Sequence, residues 1–177
     1  MINKNPEITT QKLDLFPVQG KDIELSFCGE RISSDGGLLL LRELDNQLNL
    51  LSSASSCIHD DRDKRYIDHS VKELLAQRVF QIAAGYEDCN DCNDLREDMI
   101  IKMCAGRLPQ SGNDLASQPT MSRLENTVTV TDLFRLGKCL VDTFINSYSK
   151  APSVIILDCD DTNNDTYGQQ ELALFNN

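Results

Sequence analysis

The residues best suited to chemistry lie late in the chain. Val154-Ile155-Ile156-Leu157 is a short continuous apolar run, and Asp158-Cys159-Asp160-Asp161-Thr162 follows it directly. Such a run fits a strand buried on both faces. Open α/β sheets place their sites at the carboxyl ends of strands. Side chains on a strand alternate, so Asp158 and Asp160 point to one side. Mg²⁺ is commonly held by one or two carboxylates plus substrate phosphates, and the chemistry this implies is metal-assisted phosphoryl transfer. The same residues also fit an acidic turn, where Asp and Asn serve turn geometry.

Three other groups invite a chemical reading. Cys89-Asn90-Asp91-Cys92 has C-x-x-C spacing, but a structural zinc site usually needs a second ligand pair. A redox C-x-x-C is expected within a βαβ unit. His59 and His69 read as loop and helix-cap residues rather than ligands. Pro119 opens a short helix that presents Thr120, Ser122 and Arg123. Helix-turn-helix readers use the first turn of such a helix on base edges, so these three are candidate DNA contacts. An ordinary surface helix packed through Met121 and Leu124 accounts for the same spacing. From Glu87 to Asp98 acids dominate, with Arg96 the one base. That stretch suits helix capping, pairing with arginines or a solvated face.

These groups need elements to position them. Residues 1–22 read as a loose, polar, Pro-punctuated lead-in. Ile23–Cys28 alternates apolar and polar, the period of a half-buried strand. Ser33-Ser34-Asp35-Gly36-Gly37 supplies turn and capping residues ahead of a helix carrying Leu38, Leu41, Leu44, Leu48 and Leu51. A charged loop spans 52–68. Ser70-Val71-Lys72-Glu73 matches a capping box and opens a helix with Val71, Leu74, Leu75, Val79 and Ile82 on one face. Gly85 suits its C-terminal stop. Further helices are predicted over 94–104, stopped by Gly106, over 120–126, and over 132–148. The last has Leu133, Leu136, Leu140, Val141 and Phe144 facing inward. After Pro152 come the apolar run and a second strand beginning near Gln170–Phe175. The expected fold is a mainly α region over 23–150, with 151–177 opening an α/β sheet.

Bulk properties narrow the options. With 177 residues, 40% hydrophobic and 25% charged, the chain can build a core. Without tryptophan, that core relies on Leu, Ile and Val. The net charge of −11, from 17 Lys+Arg against 28 Asp+Glu, opposes generalised binding to phosphates. The seven cysteines are odd in number and scattered. No apolar stretch reaches the ~18 residues of a membrane span, and no signal peptide is visible. A cytoplasmic protein with reduced thiols, not membrane-bound, is expected.

Four elements in order resemble the insertion-sequence DDE transposases (transposase DDE domain group 1), whose catalytic domain is RNase H-like. They are Ser34-Asp35-Gly36-Gly37; Gly85-Tyr86-Glu87-Asp88 with Asn90-Asp91 and Leu95-Arg96; Ser117-Gln118-Pro119-Thr120 with Ser122-Arg123-Leu124-Glu125-Asn126; and the aspartate tail with Gly168-Gln169-Gln170-Glu171. Within the tail, Asp161 replaces a usually small residue, and Tyr167 a common histidine. The resemblance implies two aspartates and a glutamate holding two Mg²⁺ or Mn²⁺ ions for DNA cleavage and strand transfer. Asp160 best matches the first aspartate, with Asp158 second. DNA (transposon ends) is the implied partner, with room for self-association as in transposase assemblies. The implied reading is an N-terminal portion, truncated in its RNase H-like domain, inactive alone and binding no metal firmly. The alternatives are a non-catalytic helical DNA- or protein-binding module and a haloacid-dehalogenase-like phosphatase, whose D-x-D-x-T the tail also resembles. In those phosphatases a later lysine and further aspartates follow the motif, whereas only residues 163–177 follow Thr162 here.

Overall fold

A computed structural model describes residues 12–26 and 35–160. The chain divides into two units, residues 1–147 and 148–177. The first begins with a hairpin. Strand β1 (Lys12–Val18) pairs antiparallel with β2 (Lys21–Ser26), placing Leu13 opposite Leu25 and Leu15 opposite Ile23. Gln19 and Gly20 form the turn, both at positive φ (46° and 75°), as tight hairpin turns of the primed types require. Strand β1 therefore occupies what reads in sequence as an open lead-in. Its Pro17 lies where the register shifts between Leu15 and Val18, and an irregularity is where a strand tolerates proline. The backbone groups freed there are taken up by the next element. Arg42 donates to the carbonyls of Phe16 (2.8 Å) and Pro17 (3.0 Å), and the Phe16 amide donates to Glu43 (2.8 Å).

Helices α1 (Leu38–Leu48) and α2 (Leu50–Cys57) replace the single predicted helix. Asn49 breaks it at φ 55°, and the Asp45 carboxylate accepts the Leu51 amide at 2.8 Å. The second helix runs through Ser52–Ser56, which the sequence assigns to a loop. Hydroxyls of Ser53, Ser55 and Ser56 donate back to carbonyls three or four residues earlier, the local bonding by which serine is tolerated in a helix.

Helix α3 (Val71–Ala83) starts as predicted, with Ser70 accepting the Glu73 amide at 3.2 Å. It ends at Gly85, φ 92°, with the Tyr86 amide reaching the Gln81 carbonyl. The predicted 94–104 helix is two, α4 (Asp91–Leu95) and α5 (Met99–Cys104). Asp98 restarts the chain by accepting the amides of Ile100 (2.8 Å) and Ile101 (2.9 Å), a strong N-cap. Helices α6 (Gln118–Thr127) and α7 (Val130–Asn146) complete the unit.

Two apolar clusters form the core. One joins Leu38, Leu39, Leu51, Ala76, Phe80, Ile101, Cys104 and Leu115; the other joins Leu74, Cys92, Ala116 and Met121. Helix α3 is central, packing against α2, α5 and α6. Its enclosed face carries Leu74, Ala76, Gln77, Phe80 and Gln81, while Val79 and Ile82 are exposed. The inward face is thus turned from the predicted one, because two buried glutamines occupy it. The predicted interior of α7 is also corrected. Leu133, Leu140, Val141 and Phe144 are exposed, and of the predicted set only Leu136 is half-buried, because α7 lies on α2 with Cys139 and Thr143 lining the cleft between them.

In the second unit the described residues, 148–160, form neither helix nor strand. Val154–Leu157 are exposed, Ile156 at 89% and Leu157 at 84%. The predicted buried strand is therefore not formed here. A strand needs ladder partners for its amides and carbonyls, and among the described residues none flanks this run. Asp161, Thr162, Gly168–Glu171 and the predicted strand near Gln170–Phe175 lie outside the described residues, as do Cys28, Ser33 and Ser34. The mainly α character of 23–150 stands, with one two-stranded sheet beside the helices.

Candidate nucleic-acid interface

Helix α6 is held from below. Gln77, fully buried, donates to the Ala116 carbonyl (2.9 Å) and accepts the Ala116 amide (3.0 Å), gripping the strand of chain that leads into the helix. Asn93 accepts the Gln118 amide at 3.0 Å. Pro119 stands in the first turn, where its missing N–H costs nothing. Met121 is fully buried, and Glu125 pairs with Arg78 at 2.7 Å.

Held this way, α6 presents Thr120, Arg123, Asn126 and Thr127 to a cleft of about 720 Å³. The opposite wall is the 59–69 loop, including Arg62, Tyr66 and His69, and Asp132 closes one end. Of the three predicted DNA contacts, the fold brings Thr120 and Arg123 together here. Ser122 is not among the residues lining the cleft; its hydroxyl accepts from Asn126 at 3.3 Å.

Charge in the cleft is mixed. Asp60, Asp61, Asp68 and Asp132 stand against Arg62 and Arg123. Arg62 is spent on Asp60, with bonds of 2.7 and 2.8 Å, and this pairing holds the Asp60 carboxyl below its ordinary range. Arg65 is likewise locked to Asp63 at 2.6 Å while stacking over Tyr66. Arg123 makes no hydrogen bond or ion pair among the described residues, so its guanidinium is available to an anion at the cleft rim. Asp132 is buried, and its carboxyl is held low, first by the Thr129 hydroxyl.

The loop wall is fixed by a network that the sequence did not reveal. Glu73 Oε1 accepts from Arg107 Nη2 (2.7 Å) and contacts His69 Nδ1 (2.8 Å). Arg107 also donates to the carbonyls of Asp68 (3.0 Å) and Asp114 (2.6 Å). Nothing in the spacing of residues 69, 73 and 107 marks them as partners beyond the i,i+4 pair His69–Glu73.

Several motif residues turn out to join elements. The Tyr86 hydroxyl donates to Asp35 at 3.3 Å, and that carboxylate pushes the phenol's pKa up. Arg78, bound to Glu125, also donates to the Glu87 carbonyl at 2.9 Å. Arg96 pairs with Asp114 at 2.8 Å. Within the acidic stretch Asp98 caps α5 and Asp88 accepts the Asn90 amide at 2.8 Å, while its contacts with Arg78 and Asp114 run through the Glu87 carbonyl and Arg96 rather than through its carboxylates. In the C-x-x-C, the fully buried Cys92 donates to Gln81 at 3.1 Å, and burial pushes its thiol up to about 11. Among the described residues, no three His, Cys, Asp or Glu side chains gather as a metal site.

Asp158 and Asp160 are both exposed, two residues apart. They fit a hard cation as one or two carboxylate donors, and the described residues add no third acid to them. No helix among the described residues is long and apolar enough to cross a membrane.

No curated protein and no solved structure is detectably similar to the chain. The family model for the transposase DDE domain, group 1, matches residues 15–177, taking in the hairpin, the helical unit and the aspartate tail. The chain belongs to the group 1 DDE-domain transposase family.

Proposed function

We propose that the helical unit docks DNA through the α6 rim, within a transposase that cleaves and joins the ends of a mobile DNA element. One observation carries the reading: among the described residues Arg123 has no partner, on a helix held by Gln77 and Asn93 beside Thr120 and Asn126, while Arg62 and Arg65 are neutralised by aspartates. With a net charge of −11, DNA contact has to be local. A few free cations set affinity; added salt weakens their phosphate contacts, and the acidic remainder opposes binding most at low salt, where screening is least.

The test is fluorescence anisotropy on a labelled duplex over a salt series. Arg123→Ala weakens binding about 5–10-fold and lowers the slope of log affinity against log salt by about 1. Lys21→Ala, at the start of β2, changes neither. Equal affinity and slope for wild type and Arg123→Ala would overturn the reading.

Within the same proposal Asp160, with Asp158 beside it, supplies carboxylates of a metal-binding set that two further acids complete. Mg²⁺ or Mn²⁺ bound there would activate a water or DNA 3′-hydroxyl and stabilise the leaving oxygen. Among the described residues no third acid joins these two carboxylates. The purified 177-residue chain is therefore expected to bind DNA without cleaving or joining it in Mg²⁺ or Mn²⁺. Strand transfer by that chain would sink this part of the reading and leave α6 docking intact.

A second reading, a non-catalytic helical module that binds another macromolecule, is favoured by the exposed apolar residues of α7. It differs in expecting salt-insensitive association, with no effect of Arg123→Ala.

A further inference from the structure

Helices α2 and α7 bring together two cysteines far apart in sequence. The Cys57 thiol lies 3.6 Å from the Arg135 carbonyl, one turn before Cys139 on α7. Helical side chains lean toward the N-terminus, so the Cys139 sulfur points back over that turn, toward the cleft that Cys57 also lines. Both line a second cleft, with Ser53, Arg135 and Thr143, and both are partly exposed. A soluble oxidant can reach them.

Two other described cysteines of the helical unit differ. Cys92 and Cys104 are buried, their thiols pushed up by burial to about 11 and about 12. The thiolate is the attacking form, so these two are poor reactants. Cys89 is half-buried against the cluster that encloses Cys92, and burial raises its thiol as well.

We propose that Cys57 and Cys139 are a redox-responsive pair, which a small-molecule disulfide such as oxidised glutathione converts to an intramolecular disulfide clamping α7 onto α2. The thiolate of one cysteine attacks the glutathione disulfide, forming a mixed disulfide and releasing one glutathione thiol. The second cysteine then attacks the mixed disulfide at the protein sulfur and releases the other. The two protein thiols lose two electrons and two protons, and the glutathione disulfide gains them as two thiols. Packing of α7 within the unit rests on α2, so the bond would decide how firmly the last helix is held.

The experiment treats the full chain with oxidised glutathione, maps the linkage by mass spectrometry under non-reducing conditions, and measures the melting temperature. The expected product is a monomer that has lost two hydrogens, linked between Cys57 and Cys139. A bond closing a loop this long raises the melting temperature by about 10 °C. Cys57→Ser and Cys139→Ser each abolish the linkage and the rise, Cys159→Ser affects neither, and dithiothreitol returns wild type to the melting temperature of Cys57→Ser. A linkage mapped to Cys89–Cys92, disulfide dimers through Cys159, or a linked chain with unchanged melting temperature would each overturn the proposal.

Discussion

Helices α3 and α7 make an instructive pair. Both show apolar residues at helical spacing, and α7, at 17 residues against 13, is the longer and the more amphipathic. Yet α3 is enclosed on three sides, with Phe80 at 3% exposure, while α7 leaves Phe134 at 75% and Leu140 at 60%. The enclosed face of α3 even includes two glutamines, one of which replaces two backbone partners of Ala116. An apolar stripe marks a face that gains free energy when covered. It does not say what covers it. Within this unit the neighbours of α3 cover its face, and the neighbour of α7 meets its polar side instead.

Four measurements test that contrast, the largest effect first. Phe80→Ala should lower unfolding free energy by about 4 kcal/mol in urea titrations, from lost burial plus the cavity left behind. A loss below about 1 kcal/mol would mean that α3 is not the packing centre. Gln77→Ala should cost about 3 kcal/mol, because it strands the buried amide and carbonyl of Ala116. If the grip positions α6, the same variant also weakens DNA binding without touching the cleft.

The start of α7 gives a pH-dependent test. The Asp132 carboxyl, held low by the Thr129 hydroxyl and then its amide, has a folded pKa below its unfolded value. Its stabilising contribution is therefore fully present above the unfolded pKa, about 3.9, and is lost as pH falls through the folded pKa. Asp132→Asn keeps an acceptor but removes the charge. Wild type should exceed it in stability by a constant amount at neutral pH, and the gap should close below about pH 4. A gap that persists in acid would show the carboxylate charge to be unimportant there.

The smallest expected effect is the sharpest on α7. Leu140→Ala should change stability by no more than about 0.5 kcal/mol, as for other exposed positions. A loss of about 2 kcal/mol or more, growing with protein concentration, would show that this face is covered in solution.

How much was legible depended on whether the signal was local. Ser70, Gly85, Gly106 and Pro119 each act within one turn of the backbone, and each marks its helix boundary as read. Asp98 works locally too, but it stands inside a run of helix-compatible residues, so the α4–α5 break was hidden. Strand β1 was missed because Pro17 reads as punctuation; only the paired strand and the Arg42 guanidinium make it tolerable. At the α6 rim, Thr120 and Arg123 were legible from one helix face. Ser122 was not separable from them, and the wall built by Glu73, His69 and Arg107 came from residues far apart in the chain.

By itself the sequence determined the family and the mainly helical character of 23–150, because ordered motifs and caps are encoded over a few positions. Only the tertiary structure decided which apolar faces are enclosed, which arginine is left free at the cleft and which cysteines meet. Those outcomes depend on side chains from distant segments competing for the same partners. No spacing along one element records that competition.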